Sequence, residues 1–192
     1  MNFLAGVDEV GRGSIAGPVT AAAVILKNTN DIIGLTDSKA LSSKRRQELD
    51  ILIKEKSISW NIAFVSATTI DQINILQASL LAMKRAVERL DMEPDKVLVD
   101  GLYKPDLSNP SEAIVKGDTK HASIMAASII AKVARDKYMI KLHKKFPHYG
   151  FKSHKGYPTK FHLNALELHG PCKEHRKSFK PLRDRIYKLD PT

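Results

Sequence analysis

Four acidic residues stand where short apolar runs give way to turns. The run Asn2–Asp8 closes on Asp8 and Glu9, Lys96–Asp100 closes on Asp100, and Glu112–Lys116 passes through Gly117 into Asp118. Ligand sites in open α/β sheets gather at the carboxyl ends of strands, so these acids are expected to converge. Four carboxylates in one pocket repel one another strongly unless cations neutralise them. Oxygen-only donors favour Mg²⁺ or Mn²⁺ over zinc. Two such ions, roughly 3.5–4 Å apart, activate a water and stabilise the leaving oxygen of a phosphodiester. One difficulty is geometric. Adjacent residues of a regular strand point to opposite faces, so Glu9 must lie where the chain leaves the strand or bind a second ion on the outer side.

Other chemistries find little support. The seven histidines all lie between residues 121 and 175, but none forms an HExxH helix or a zinc spacing. There is no GxSxG elbow, and Gly11–Arg12–Gly13 is neither a dinucleotide fingerprint nor a Walker A loop. Cys172 is the only cysteine, which excludes an intrachain disulfide and fits a reducing compartment. The stretch Phe3–Val7 carries no basic leader, and the longest apolar runs are too short or too rich in small residues to span a bilayer. A soluble, cytoplasmic protein is expected.

The net charge is +10 over 192 residues, and the excess is confined to one region. Residues 1–130 hold 15 Lys/Arg against 16 Asp/Glu, whereas residues 131–192 hold 16 against 5. A basic segment joined to a neutral core suits a polyanionic partner, because Lys and Arg displace condensed counterions. A solvated basic face would produce the same count.

The elements that must position these residues follow from periodicity. Beside the three runs above, Val19–Leu26 and Ser57–Ser66 read as strands, the latter with Trp60, Ile62, Phe64 and Ser66 at period two. Ser42–Lys54 opens with a serine cap, and Thr69–Leu90 carries Ile70, Ile73, Leu76, Leu80 and Met83 on one helical face. Lys120–Phe146 is the longest helix candidate, small-residue-rich at first and basic later, and Thr159–His169 follows after a loop-like stretch. The first two strands, joined by the Gly11–Pro18 turn, are most simply antiparallel, while later strands alternate with helices. The expectation is a mixed β-sheet flanked by helices, with a basic, helical C-terminal part. Residues 1–145 would form the catalytic domain and residues 146–192 a substrate-binding extension of the same unit.

The motifs are more specific than the acids alone. The run Gly6–Val7–Asp8–Glu9–Val10–Gly11–Arg12–Gly13, then Ala16–Gly17–Pro18–Val19, closely resembles the opening of ribonuclease HII. In family order come Asp37–Ser38–Lys39, Val99–Asp100–Gly101, Lys116–Gly117–Asp118 and Ala126–Val133 with Arg135–Asp136. Gly156–Tyr157–Pro158–Thr159 with His162, and His175–Arg176 with Ser178–Phe179, complete the set. Ser14 departs from the pattern, standing where proline is more usual.

The resemblance implies a ribonuclease H-like α/β fold and hydrolysis of the RNA strand of RNA–DNA hybrids. It also implies incision 5′ of ribonucleotides embedded in duplex DNA, leaving 5′-phosphate and 3′-hydroxyl ends, as ribonucleotide excision repair and DNA replication require. Asp8, Glu9, Asp100 and Asp118 match the family's metal-binding carboxylates. Gly11, Arg12 and Gly13 match its junction-reading motif, and Tyr157 its partner tyrosine. Glycines flanking Arg12 let the backbone approach a 2′-OH, the group that distinguishes RNA from DNA, while Arg12 forks onto a phosphate. Lys39 is read as a phosphate contact and Arg46 as a weaker one; His162 and Ser123 fit a phosphate contact or the core equally. Asp136 competes with Asp118 for the fourth ligand, but an ordinary i, i+4 ion pair accounts for it. A monomer is the simplest assembly. Two other classes remain. A DNA-directed nuclease of this fold would share the carboxylates without needing Gly11–Arg12–Gly13 and Tyr157. A non-catalytic nucleic-acid-binding protein would need only the basic third.

Overall fold

The computed structural model describes residues 3–28, 32, 34, 35, 38, 41–180 and 182–184. Five strands form one mixed sheet: β1 Leu4–Val10, β2 Val19–Leu26, β3 Ser57–Val65, β4 Lys96–Asp100 and β5 Ser111–Ile114, in spatial order β3-β2-β1-β4-β5. The β1–β2 and β2–β3 pairs are antiparallel, as the short Gly/Pro turn requires, and β1–β4 and β4–β5 are parallel. The mixed sheet flanked by helices is therefore as expected.

The helices are α1 Ser43–Lys56, α2 Ala67–Glu88, α3 Ala122–Lys145, α4 Phe151–His154 and α5 Lys160–His169. The hydroxyls of Ser42, Ser66 and Thr159 accept the backbone N–H groups that open α1, α2 and α5. Two layers of helix sandwich the sheet, and β2 is buried on both sides. Its Ala21, Ala23 and Ile25 pack with Ile70, Ala78 and Ala82 of α2, whereas Ala22 and Val24 pack with Leu49 and Ile53 of α1 and Ala126 and Ile130 of α3. The alanine-rich start of α3 lets it lie close on β1. A Cβ at Gly6 would sit 2.2 Å from the Ser123 carbonyl carbon.

Three departures from the periodicity matter. β1 continues to Val10, two residues beyond its expected end. α2 is broken at Asn74, where φ is 64° and ψ 168°, and the Asn74 side chain re-caps the helix by accepting the Gln77 N–H at 3.1 Å. The stretch after Pro147 holds a 3₁₀ turn, Pro147–Tyr149, and the short α4. The chain then returns to the sheet side. Asp71 of α2 accepts the Lys177 and Ser178 N–H groups, each at 2.9 Å, and Phe179 joins the core. Among the described residues no helix is long and apolar enough to cross a membrane.

Candidate active site

Asp8 and Asp100 are brought together by sheet register. Val7 and Val99 are the last paired residues of the parallel β1–β4 ladder, so Asp8 and Asp100 occupy the next step on both strands. Register partners in a ladder share a face, and the Gly6 contact identifies that face as the one covered by α3. Asp118 reaches the same point by a turn. Lys116 adopts φ 56°, and a 3₁₀ turn over Gly117–Thr119 delivers the Asp118 N–H to Asp100 Oδ1 at 3.2 Å. Gly117 packs closely there: a Cβ would lie 2.5 Å from Ile124 Cδ1 and displace that side chain.

One carboxylate oxygen from each of Asp8, Asp100 and Asp118 lies within 4.8 Å of the others. Asp8 is only 5% and Asp118 6% exposed. Burial, then the Glu9 and Asp100 carboxylates, hold the Asp8 pKa well above its usual value, against the Ser128 hydroxyl and the Glu9 amide. Clustered carboxylate oxygens suit a hard divalent cation.

Glu9 stands apart from this trio. β1 stays paired through Val10, with Glu9 opposite Ala21, so the chain does not leave the strand at Glu9. Alternation sends Glu9 to the face opposite Asp8. Glu9 nevertheless lines the same cleft, and its charge acts on Asp8. Burial raises the Glu9 pKa, and the Arg12 guanidinium, 3.4 Å away, opposes that rise.

The cleft encloses about 380 Å³ and joins the acids to Gly11, Arg12, Gly13 and Tyr157. The Arg12 side chain is 49% exposed and Tyr157 36%. The Tyr157 ring stands beside Gly13, its Cε1 3.9 Å from where a Cβ would be. Gly11 has φ 93°, and a Cβ there would lie 2.1 Å from Arg135 Nε, so both backbone sign and space demand glycine. The Ser14 hydroxyl is buried with no hydrogen-bond partner among the described residues, a setting that an apolar ring would suit as well.

Two residues that carried no assigned role turn out to build this loop. Arg135 is fully buried and donates to the carbonyls of Pro18 at 3.0 Å, Lys155 at 2.9 Å and Ala16 at 3.2 Å. Arg176, equally buried, donates to Gly17 and Arg12 carbonyls, both at 3.0 Å. Burial, then Arg135, push Arg176 down to about 9. Two charges that the composition assigns to a basic face are thus internal braces. The pairing of Arg135–Asp136 and His175–Arg176 with family motifs was the available signal for them.

The weaker candidates resolve differently. Lys39 lies outside the described residues. Arg46 donates to the carbonyls of Ser38, at 2.8 Å, and Leu41, so it braces a loop. Ser123 is buried beneath Gly6, and Asp136 pairs with Lys132 at 2.9 Å, four residues earlier. His162 is core: its Nδ1 is 2.9 Å from the Tyr157 carbonyl and its Nε2 3.0 Å from His175 Nε2.

Burial pushes both histidines from the usual 6.5 down to about 4; His154 also faces His162, and His162, His148 and His154 face His175. As pH falls through about 6.5 the unfolded chain protonates these groups, while the folded pair stays neutral until about 4. The unfolded state then binds more protons, so stability is expected to fall as pH drops across that window. Denaturant midpoints measured from about pH 7 to about pH 5 check this, and a His162→Phe/His175→Phe variant should show a flatter profile.

A sequence model of the family described as Ribonuclease HII matches residues 5–182. The chain is 55% identical over 183 residues to the Ribonuclease HII of Vibrio vulnificus (strain YJ016), covering 95% of this chain and 88% of that one. It is 55% identical over 189 residues to Ribonuclease HII 2 of Methylibium petroleiphilum, covering 98% and 87%. Among solved structures, ribonuclease H2 from Pyrococcus horikoshii OT3 superposes with a TM-score of 0.81 at 25% identity, covering 98% of this chain and 99% of that one. The Bst-RNase HIII structure in complex with Mn²⁺ shares the fold, with a TM-score of 0.74 at 17% identity over 100% of this chain and 71% of that one.

Proposed function

The chain belongs to the ribonuclease HII family, and from that premise we propose how its residues perform the work of a type H endoribonuclease. The observation that carries the reading is one cleft with two halves. Clustered carboxylates that suit a metal lie on one side, and Gly11–Arg12–Gly13 with Tyr157 lies on the other.

Asp8, Asp100 and Asp118 would hold Mg²⁺ or Mn²⁺, with Glu9 on the rim completing the ligand set for a pair of ions. When bound, such ions supply Lewis acidity toward water and toward the phosphate's leaving oxygen. The remaining work falls to this chain's own groups. Gly11 and Gly13 present backbone N–H and C=O groups toward a 2′-OH; at exposed Gly13 no side chain intervenes, and Gly11 lets the turn pack on Arg135. The exposed Arg12 guanidinium reaches a phosphate while Glu9 steadies it. The Tyr157 ring, beside Gly13, presents a flat surface to the neighbouring sugar or base. Lys39 is a further phosphate contact.

The substrates on this reading are RNA–DNA hybrids and duplex DNA containing ribonucleotides, cut on the 5′ side of the ribonucleotide. Residues 146–192 extend the catalytic unit 1–145 as its basic substrate-binding part, and the enzyme acts as a cytoplasmic monomer. The test is incubation with a DNA duplex carrying one ribonucleotide, in Mg²⁺, Mn²⁺ or EDTA. Incision 5′ of the ribonucleotide in metal, none in EDTA and none on all-DNA duplex are expected. Equal cutting of all-DNA duplex would point to a DNA-directed nuclease, and tight binding without cutting to a non-catalytic binder.

A further inference from the structure

Hydrogen-bond chemistry leaves one neutral arrangement for the buried pair His162 and His175. The Cys172 backbone N–H can only donate, and it meets His175 Nδ1 at 3.0 Å. His175 therefore carries its proton on Nε2 and donates it to His162 Nε2, 3.0 Å away. His162 in turn carries its proton on Nδ1 and donates to the Tyr157 carbonyl at 2.9 Å. Each ring nitrogen is used once, and both rings are shielded from solvent. A proton added to either ring would set two donors face to face or reject the Cys172 amide.

The same histidine is fixed to the other half of the cleft. His175 bridges Ala16 in an antiparallel pair, the Gly17 N–H donates to Glu174 O at 2.8 Å, and the Arg176 N–H donates to Ile15 O at 2.9 Å. The Ile15 N–H donates to Gly156 O at 2.9 Å, next to Tyr157. Residue 175 thus joins the segment that continues from Gly11–Arg12–Gly13 to the neighbourhood of Tyr157, whose carbonyl it reaches through His162.

We propose that His175 and His162 are positioning residues for ribonucleotide recognition: their relay fixes the Tyr157 ring against Gly13, so that ring and glycine backbone address the same nucleotide step. This rests on Tyr157 contacting substrate. Neither histidine touches substrate itself. Both lie beneath the loop that does, and the depressed pKa of each agrees with a relay that stays neutral under working conditions.

The test is a double-mutant cycle on selectivity, read as kcat/KM for a single-ribonucleotide duplex relative to a continuous RNA–DNA hybrid. Tyr157→Ala is expected to lower this ratio on the order of 10-fold, and His175→Phe by a similar factor. In the Tyr157→Ala background the His175→Phe change should cost little more, because the group it positions is gone. His175→Gln, whose amide retains a donor toward His162, should recover most of the ratio. Additive losses in the cycle, or a folded His175→Phe with unchanged selectivity, overturn the relay while leaving Tyr157 as a reader. An unchanged ratio in Tyr157→Ala alone overturns the reading of Tyr157 and, with it, the relay. Imidazole ¹⁵N NMR of the wild-type protein supplies a test independent of variant folding. It should find His175 as the Nε2–H tautomer and His162 as the Nδ1–H tautomer near neutral pH; an imidazolium or the reverse tautomers would refute the relay.

Discussion

Asp8→Asn is expected to lower cleavage of an RNA–DNA hybrid by at least ~10²–10³-fold, the range seen when one preorganised electrostatic group is lost, while hybrid binding changes little. The substitution is nearly isosteric. Asn Oδ1 still accepts the Glu9 amide N–H, which Asp8 Oδ1 holds at 2.6 Å, and Ser128 still has a polar neighbour. What disappears is one of three carboxylate charges, two of them buried, whose oxygens lie within 4.8 Å of one another. Burial and the Glu9 and Asp100 carboxylates already disfavour that charge in the metal-free protein. The variant should therefore unfold at the same or a higher temperature in EDTA, and gain less than the parent from added Mn²⁺. Single-turnover cleavage, filter binding and thermal unfolding with and without metal separate these effects. Full activity in Mg²⁺ would remove Asp8 from the ligand set.

Gly6→Ala should do the opposite, damaging the fold first and the chemistry through it. The added Cβ would lie 2.2 Å from the Ser123 carbonyl carbon, 2.3 Å from the Ile124 nitrogen and 2.5 Å from the Ser123 oxygen. All three are backbone atoms at the start of α3, so no rotamer change relieves the contact. Either β1 or α3 must move by an ångström or so, in a region where Ala126, Ala127 and Ile130 are fully buried against the sheet. Overpacking of a dense core costs about 1–3 kcal/mol and sometimes more, and a backbone-on-backbone clash belongs at the upper end. Displacing α3 also withdraws Ser128 from Asp8. The expected result is an unfolding free energy lowered by that amount, seen as a urea midpoint shifted down by it divided by the m-value, with cleavage impaired in proportion to the folded fraction and beyond it. A variant as stable as the parent would mean that α3 does not lie as close to β1 as described.

The carboxylates illustrate how far composition and spacing carry. Strand endings led to the expectation that Asp8, Asp100 and Asp118 converge, because ligand sites in α/β sheets gather at the carboxyl ends of strands. Glu9 was less legible. Period two alone would send it away from Asp8, yet its carboxylate acts on Asp8 and lines the same cleft. That is a property of the folded site, absent from the run read alone. The basic third of the chain was partly misleading for a similar reason. Counting charges cannot distinguish an exposed Lys from Arg135 or Arg176, whose guanidinium groups are buried and donate to carbonyls of a loop more than a hundred residues away in sequence.

The residue order of this protein determined the element types, the sandwich of sheet and helices, the acidic edge and the glycine-arginine-glycine loop, because each is written in local periodicity or in contiguous motifs. Only the tertiary structure decided which carboxylates approach within 4.8 Å, that Gly13 and Tyr157 stand side by side, and that His162 and His175 are wired inward rather than facing phosphate. Those outcomes depend on contacts between segments far apart in sequence. Such contacts follow from packing and hydrogen-bond satisfaction of the whole chain at once. The acids could thus be named from their neighbours in sequence, but their shared pocket could not.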